Sequence, residues 1–171
     1  MVNRNQIERL FKKYCRNCSA FCCKTKEITV FKSEFDNIQK IGWKGLSFLN
    51  QGKAKNNCPS HIKRIGLKNG CPFVTENGCI FNPNFRPIDC LSYPIYPIIK
   101  YKGKNASIEC MAVHKSCPKY KTISKDSKGI KKMYNFWNEL IKETQVEDLK
   151  EWFGDKKNYW MDRNLIKIKI P

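Results

Sequence analysis

The sequence predicts a small, cysteine-rich α+β domain, with short hairpins and loops in the middle of the chain and helices on either side. Three observations lead there. Four of the ten cysteines fall within nine residues, from Cys15 to Cys23. The middle of the chain is cut into short β-like runs by Asn-Gly and Pro signals. Both flanks carry apolar residues at three- and four-residue steps, the period of an amphipathic helix.

The elements follow in order. Over residues 3–14, Ile7, Leu10, Phe11 and Tyr14 recur at helical spacing. If that helix continued, Cys15, Cys18 and Cys22 would stack on one face and Cys23 would point elsewhere. In an extended segment the adjacent pair Cys22-Cys23 would point to opposite sides. In either geometry the two differ in role. Glu27 to Phe31 reads as a strand, and Ser33-Glu34-Phe35-Asp36 as a helix start with an acid at the third position. A loop-like stretch over 50–60 holds Cys58. From His61 to Phe81 the chain reads as strand and turn. Asn69-Gly70-Cys71 and Asn77-Gly78-Cys79 each place a thiol directly after a tight-turn dipeptide, where backbone N–H groups can point at sulfur.

Arg86-Pro87-Ile88-Asp89-Cys90 reads as a short helix with Pro in its first turn, so Cys90 sits where a helix N-terminus favours thiolate. Ile95 to Tyr101 and Ala106 to Cys110 form a hairpin around Lys102-Gly103-Lys104-Asn105. A long amphipathic helix runs from Ser127 to about Thr144 on Ile130, Met133, Tyr134, Trp137, Leu140 and Ile141. Val146 to Phe153 reads as a second helix. The alternation Leu165-Ile166-Lys167-Ile168-Lys169-Ile170 reads as a final edge strand with inward isoleucines. Residues 1–125 are expected to form the cysteine-cluster domain, and 126–171 a C-terminal helical segment with that strand, packed on the same domain.

Composition narrows the function classes. At 171 residues the chain can bury a core, so thiols are not needed to rescue a miniature fold. The N-terminus has no apolar secretory core, and no apolar run reaches the roughly 20 residues of a membrane span, so a cytoplasmic protein with no membrane partner is expected. Thiols stay reduced there, and clustered cysteine reads as metal or redox chemistry. The net charge is +18, from 33 Lys+Arg against 15 Asp+Glu. That excess suits nucleic acid or an acidic protein or substrate. The lysines are spread along the whole chain, however, as on a solvated surface, so nucleic acid is not favoured.

Zinc sites take four soft ligands in a tetrahedron, often from two close pairs, and Cys15-x2-Cys18 is one such pair. Iron–sulfur clusters also take four thiolates, so ligand softness leaves both open. His61 and His114 lack zinc-finger spacing and read as surface or core residues. Among single thiols, Cys90 is the best candidate nucleophile by helix position, with no histidine or carboxylate placed to activate it.

The ordered pieces Cys15-x2-Cys18-x3-Cys22-Cys23, Cys71-Pro72-Phe73, Gly78-Cys79-Ile80-Phe81, Arg86-Pro87-x-x-Cys90 and Tyr93-Pro94 resemble a family of zinc- or iron-chelating cysteine-cluster domains. A related cluster occurs in flagellin lysine methylases. The resemblance spans roughly residues 15–118. It implies a metal centre, an iron–sulfur cluster (4Fe–4S) or zinc, held by Cys15, Cys18, Cys22, Cys23, Cys71, Cys79, Cys90 and Cys117, and little more. One function class for such a centre is a redox or protein-modification role. The other function class is a zinc-stabilised basic module that binds nucleic acid or an acidic protein. The first cluster has one residue more than the family pattern before its adjacent pair, and Leu91 stands where the family carries arginine. Cys58 and Cys110 match nothing in the pattern. The seven matched thiols up to Cys90 are expected to converge, with Cys117 close by and Cys58 the likeliest outsider.

Overall fold

The computed structural model describes residues 7, 14, 27–31, 34, 62–66, 74–75, 78–79, 86–153, 164–168 and 170. The chain divides into two compact units. One is continuous, Cys15–Leu91, and the other joins Met1–Tyr14 to Ser92–Pro171. The divisions fall at 14/15 and 91/92. Helices and small antiparallel sheets make the architecture α+β.

In the continuous unit, β1 (Glu27–Phe31) pairs antiparallel with β2 (Ile62–Gly66), with Thr29 opposite Arg64. Val30 is fully buried. β3 (Val74–Thr75) pairs with β4 (Gly78–Cys79). Thr75 faces Gly78, so two residues connect these strands, and Gly78 holds a paired strand position. Gly78, expected in a tight turn, is instead part of the strand, and Asn77 lies outside the described residues. α1 (Ile88–Ser92) begins directly after Pro87, and Leu91 N–H donates to the Pro87 carbonyl at 3.0 Å. Proline suits this place because its fixed φ is helical and its missing N–H would have had no helical partner. The expected helices over 33–41 and 43–49 and the turn at Asn69-Gly70 lie outside the described residues, apart from Glu34, which is helical.

The second unit is built on a three-stranded antiparallel sheet in the order β5–β6–β7. β5 (Ile95–Lys102) and β6 (Asn105–His114) form a hairpin closed by the pair Lys102/Asn105. Gly103 takes φ +60°, the positive value that the first residue of a two-residue hairpin turn requires. β7 (Leu165–Ile168) lies on the far edge against Met111 to His114, as the alternating tail predicted. The register explains the burial. The outer half of β6, Asn105 to Cys110, has only β5 beside it and alternates between exposed and half-buried. The inner half, Met111 to His114, is flanked by both strands and wholly buried. Pairing with β5 as far as Val113 and with β7 as far as His114 carries β6 four residues past its expected end at Cys110. Pro97, which donates no backbone hydrogen bond, is accommodated because β5 is an edge strand.

β6 leads through a turn to α2 (Tyr120–Ile123), then α3 (Ser127–Glu143) and α4 (Val146–Phe153). α3 buries Ile130, Met133, Phe136, Trp137, Leu140 and Ile141 and packs on β6 and β5. Phe136 belongs to this stripe, while Tyr134, predicted to point inward, is half-buried at its border. Trp137 meets Trp152 at 5.6 Å and Phe153 at 5.3 Å, both edge-to-face, and Trp152 stacks on Phe153. Each aromatic pair of this kind adds about 0.5–1.5 kcal/mol beyond area burial.

One carboxylate organises the start of α3. Asp126 Oδ1 accepts from Gly129 N–H at 3.0 Å, the N-cap bond, and Oδ2 accepts from Tyr14 OH at 2.7 Å. Ile7 and Tyr14 are both helical, as expected for residues 3–14, and Ile7 is buried. A Cβ at Gly129 would lie 2.8 Å from Asp126 Oδ2, so the close approach of cap and helix needs glycine there. Asp126→Ala removes both bonds. We predict a loss of about 1–3 kcal/mol of stability by chemical denaturation, with Tyr14→Phe costing less and the double variant costing less than the sum of the two.

Candidate functional site

Of the eight thiols predicted to bind metal, the structure describes Cys79, Cys90 and Cys117. Cys15, Cys18, Cys22, Cys23 and Cys71 lie outside the described residues, as do Cys58 and His61. Cys79 ends β4, opposite Val74. Cys90 is half-buried in the middle of α1. Cys117 is buried in the turn after β6, where its N–H donates to the His114 carbonyl and its own carbonyl accepts from Tyr120 N–H. The unit Cys15–Leu91 contains the seven thiols expected to converge, whereas Cys117 belongs to the other unit. Among the described residues, no three potential ligands gather into a metal-binding group.

A residue the sequence did not single out controls the position of Cys90. Glu34 is 6% exposed. Its Oε2 accepts from Phe31 N–H at 3.1 Å, reaching back three residues as in a capping box. Its Oε1 accepts from Ile88 N–H at 3.0 Å, across 54 residues of sequence. The end of β1 and the first turn of α1 are therefore fastened to one buried carboxylate. The signal available in the sequence was an acid just after a strand, in a stretch otherwise read as a plain helix start. This bond also alters the expectation for Cys90. The leading N–H of α1 already faces a carboxylate, and a five-residue helix has little dipole, so the helix terminus gives a thiolate at Cys90 little support. Around the same helix, Asp89 and Ser92 are buried and Arg86 is half-buried.

The described histidine is a core residue. His114 is 5% exposed and its ring lies 5.7 Å from that of Tyr93. Its Nδ1 accepts from Ser116 N–H at 3.2 Å. A neutral imidazole has one ring lone pair, and this bond engages it, which leaves the other nitrogen as the N–H donor.

Cys110 stands beside an irregularity of the hairpin. Ile98 pairs with Cys110 but Ile99 pairs with Ile108, so Glu109 is the extra residue of a β-bulge. Burial pushes the Cys110 thiol above its ordinary pKa, Lys167 on β7 pulls it down, and Glu109 pushes it up. This free, half-buried thiol is held protonated, the opposite of an activated nucleophile.

No family profile, curated protein or solved structure matches the chain. The likeness to the cysteine-cluster family rests on the order and spacing of the residues themselves.

Two outcomes follow. Glu34→Ala leaves the Phe31 and Ile88 N–H groups without their carboxylate, so we expect a loss of about 1–3 kcal/mol by denaturant titration. Because the Cys110 pKa is raised in the fold, the native state keeps its proton at pH values where the unfolded chain has released it. Stability from this group is present below the ordinary thiol pKa and falls as pH rises through the folded value. Cys110 should therefore be alkylated more slowly in the native than in the denatured protein at mildly alkaline pH, read by peptide mass mapping. Lys167→Gln should slow the native reaction further.

Proposed function

We propose that the protein holds a metal centre, an iron–sulfur cluster or zinc, through its clustered cysteines. The observation that carries this reading is how the thiols fall along the chain. Seven thiols in the order of the family pattern, together with Cys58, lie within the one compact unit Cys15–Leu91. Eight thiolates suffice for two four-ligand sites, and the adjacent pair Cys22-Cys23 is where the sites would divide. Metal at thiolates would also cancel part of the chain's positive charge. Bound iron–sulfur would supply one-electron chemistry suited to a redox or protein-modification role, and bound zinc would stabilise the unit.

The chain's own contribution is to fix the ligand-bearing segments. Cys79 is set by the β3–β4 pairing, and Cys90 by a helix whose start is fastened to Glu34. His114 is not included in the ligand set, because its Nδ1 lone pair serves the backbone of its own turn. Cys117 is the eighth ligand by resemblance and Cys58 is the eighth thiol by position within Cys15–Leu91.

The test is purification under strict anaerobiosis, followed by metal and sulfide analysis and an absorption spectrum. Bound iron with sulfide and a visible charge-transfer band identifies a cluster, and bound zinc without colour identifies the other centre. A folded, colourless, metal-free protein removes the proposal. Cys90→Ser should lower metal stoichiometry, and Cys110→Ser should not. Comparing Cys58→Ser with Cys117→Ser decides which thiol completes the set.

A further inference from the structure

The segment from Lys115 to Lys132 holds seven of the chain's 33 Lys+Arg, no arginine and one acid. It runs from the end of β6 through α2 into the first turns of α3. Lys115, Lys121, Lys125, Lys128, Lys131 and Lys132 are exposed, and Lys119 is half-exposed. Among the described residues none of the seven ammonium groups has an ion-pair partner. The one acid, Asp126, is committed to the fold, with one oxygen on Gly129 N–H and the other on Tyr14 OH.

This arrangement works against stability. Lys128, Lys131 and Lys132 lie three and four residues apart on one helical face, where like charges repel. They also occupy the N-terminal turns of α3, where the helix dipole disfavours cations, and the first turn carries no acid. The sequence along the rest of the same face shows the usual remedy, with Glu139 and Glu143 exposed beside Lys142. The repulsion is therefore confined to one end of the helix and the adjoining turn. A local conflict without a structural return marks a functional surface.

We propose that Lys115–Lys132 is a docking surface for the phosphodiester backbone of nucleic acid, bound without regard to base sequence. Unpaired cations on a rigid framework are what counterion release from a polyanion requires. The exposed hydroxyls of Thr122 and Ser127 add phosphate donors, and half-exposed Tyr120 offers a ring face between Lys119 and Lys121. An acidic protein is the poorer fit. Protein interfaces are depleted in lysine and enriched in arginine, whose planar fork pairs with carboxylates, and this surface has seven lysines and no arginine. The surface lies wholly in the unit of residues 1–14 and 92–171, and its assignment does not depend on the metal reading.

The experiment is fluorescence anisotropy of the full chain, as purified, with labelled single-stranded RNA and duplex DNA of mixed sequence and matched length. Salt is varied from about 50 to 200 mM. The patch variant combines Lys125→Gln, Lys128→Gln, Lys131→Gln and Lys132→Gln. The control variant removes the same charge from the same unit, with Lys100→Gln, Lys102→Gln, Lys104→Gln and Lys167→Gln. All eight positions are exposed, and circular dichroism confirms that both variants fold. The patch variant should lose at least about tenfold in affinity and flatten the slope of log K against log salt by about three. The control should change affinity by less than about twofold. Binding to either nucleic acid with this pattern supports the surface, and the arm that binds names its source. Equal losses in the two variants, unchanged binding by the patch variant, or binding to polyglutamate with none to nucleic acid would each overturn it.

Discussion

The apolar stripe of α3 must be buried somewhere, and the hairpin of β5 and β6 provides the surface. Ile130, Met133, Phe136, Trp137, Leu140 and Ile141 recur at helical spacing, and α3 packs on β6 and β5. Several other features depend on this contact. The inner half of β6 is buried because strands flank it on both sides and the helix packs on the sheet. α4 extends the same apolar body through Trp152 and Phe153, which meet Trp137. Asp126 then sets where α3 begins and, through Tyr14, joins the N-terminal segment to that point. The sheet thus supports the helix, and the helix end fastens the start of the chain.

Much of this unit was legible in the residues. α3 and α4 follow from apolar spacing, the β5–β6 turn from its glycine, and β7 from strict alternation of isoleucine and lysine. The misplacements have physical causes. β6 runs on past Cys110 because β5 pairs with it as far as Val113 and β7 pairs with its last four residues, and the second of these pairings joins segments too far apart to leave a mark in local sequence. Tyr134 and Phe136 exchange roles because a helical stripe has borders, and periodicity alone does not decide which border residue is covered. Gly78, read as a turn residue, is a strand residue because the register pairs it with Thr75. Glu34 was read only as part of a helix start, since its partner at Ile88 is distant in sequence.

For the thiols, the sequence offered only an expected set, and the structure adds how the backbone of the three described ones is held. Cys79 and Cys90 sit on backbone that hydrogen bonds fix, and Cys117 sits in a tight turn of the other unit. Net charge taken over the whole sequence concealed a local fact. The lysines are spread along the chain, yet seven of them crowd one turn-and-helix segment that holds a single acid, Asp126. A chain-wide average could not separate a solvated surface from a concentrated one, whereas exposure and the commitment of Asp126 can.

The division of the chain also has a consequence in time. Cys15–Leu91 is continuous in sequence, while the other unit begins with Met1–Tyr14 and is completed only by Ser92–Pro171. A ribosome adding about 5–20 residues each second delivers every cysteine of the inserted unit before the first strand of the three-stranded sheet exists. The partner that Tyr14 needs, Asp126, is made later still. The segment Cys15–Leu91 is therefore complete several seconds before Ser92–Pro171 is, and Tyr14 cannot bond to Asp126 until that later segment has been made.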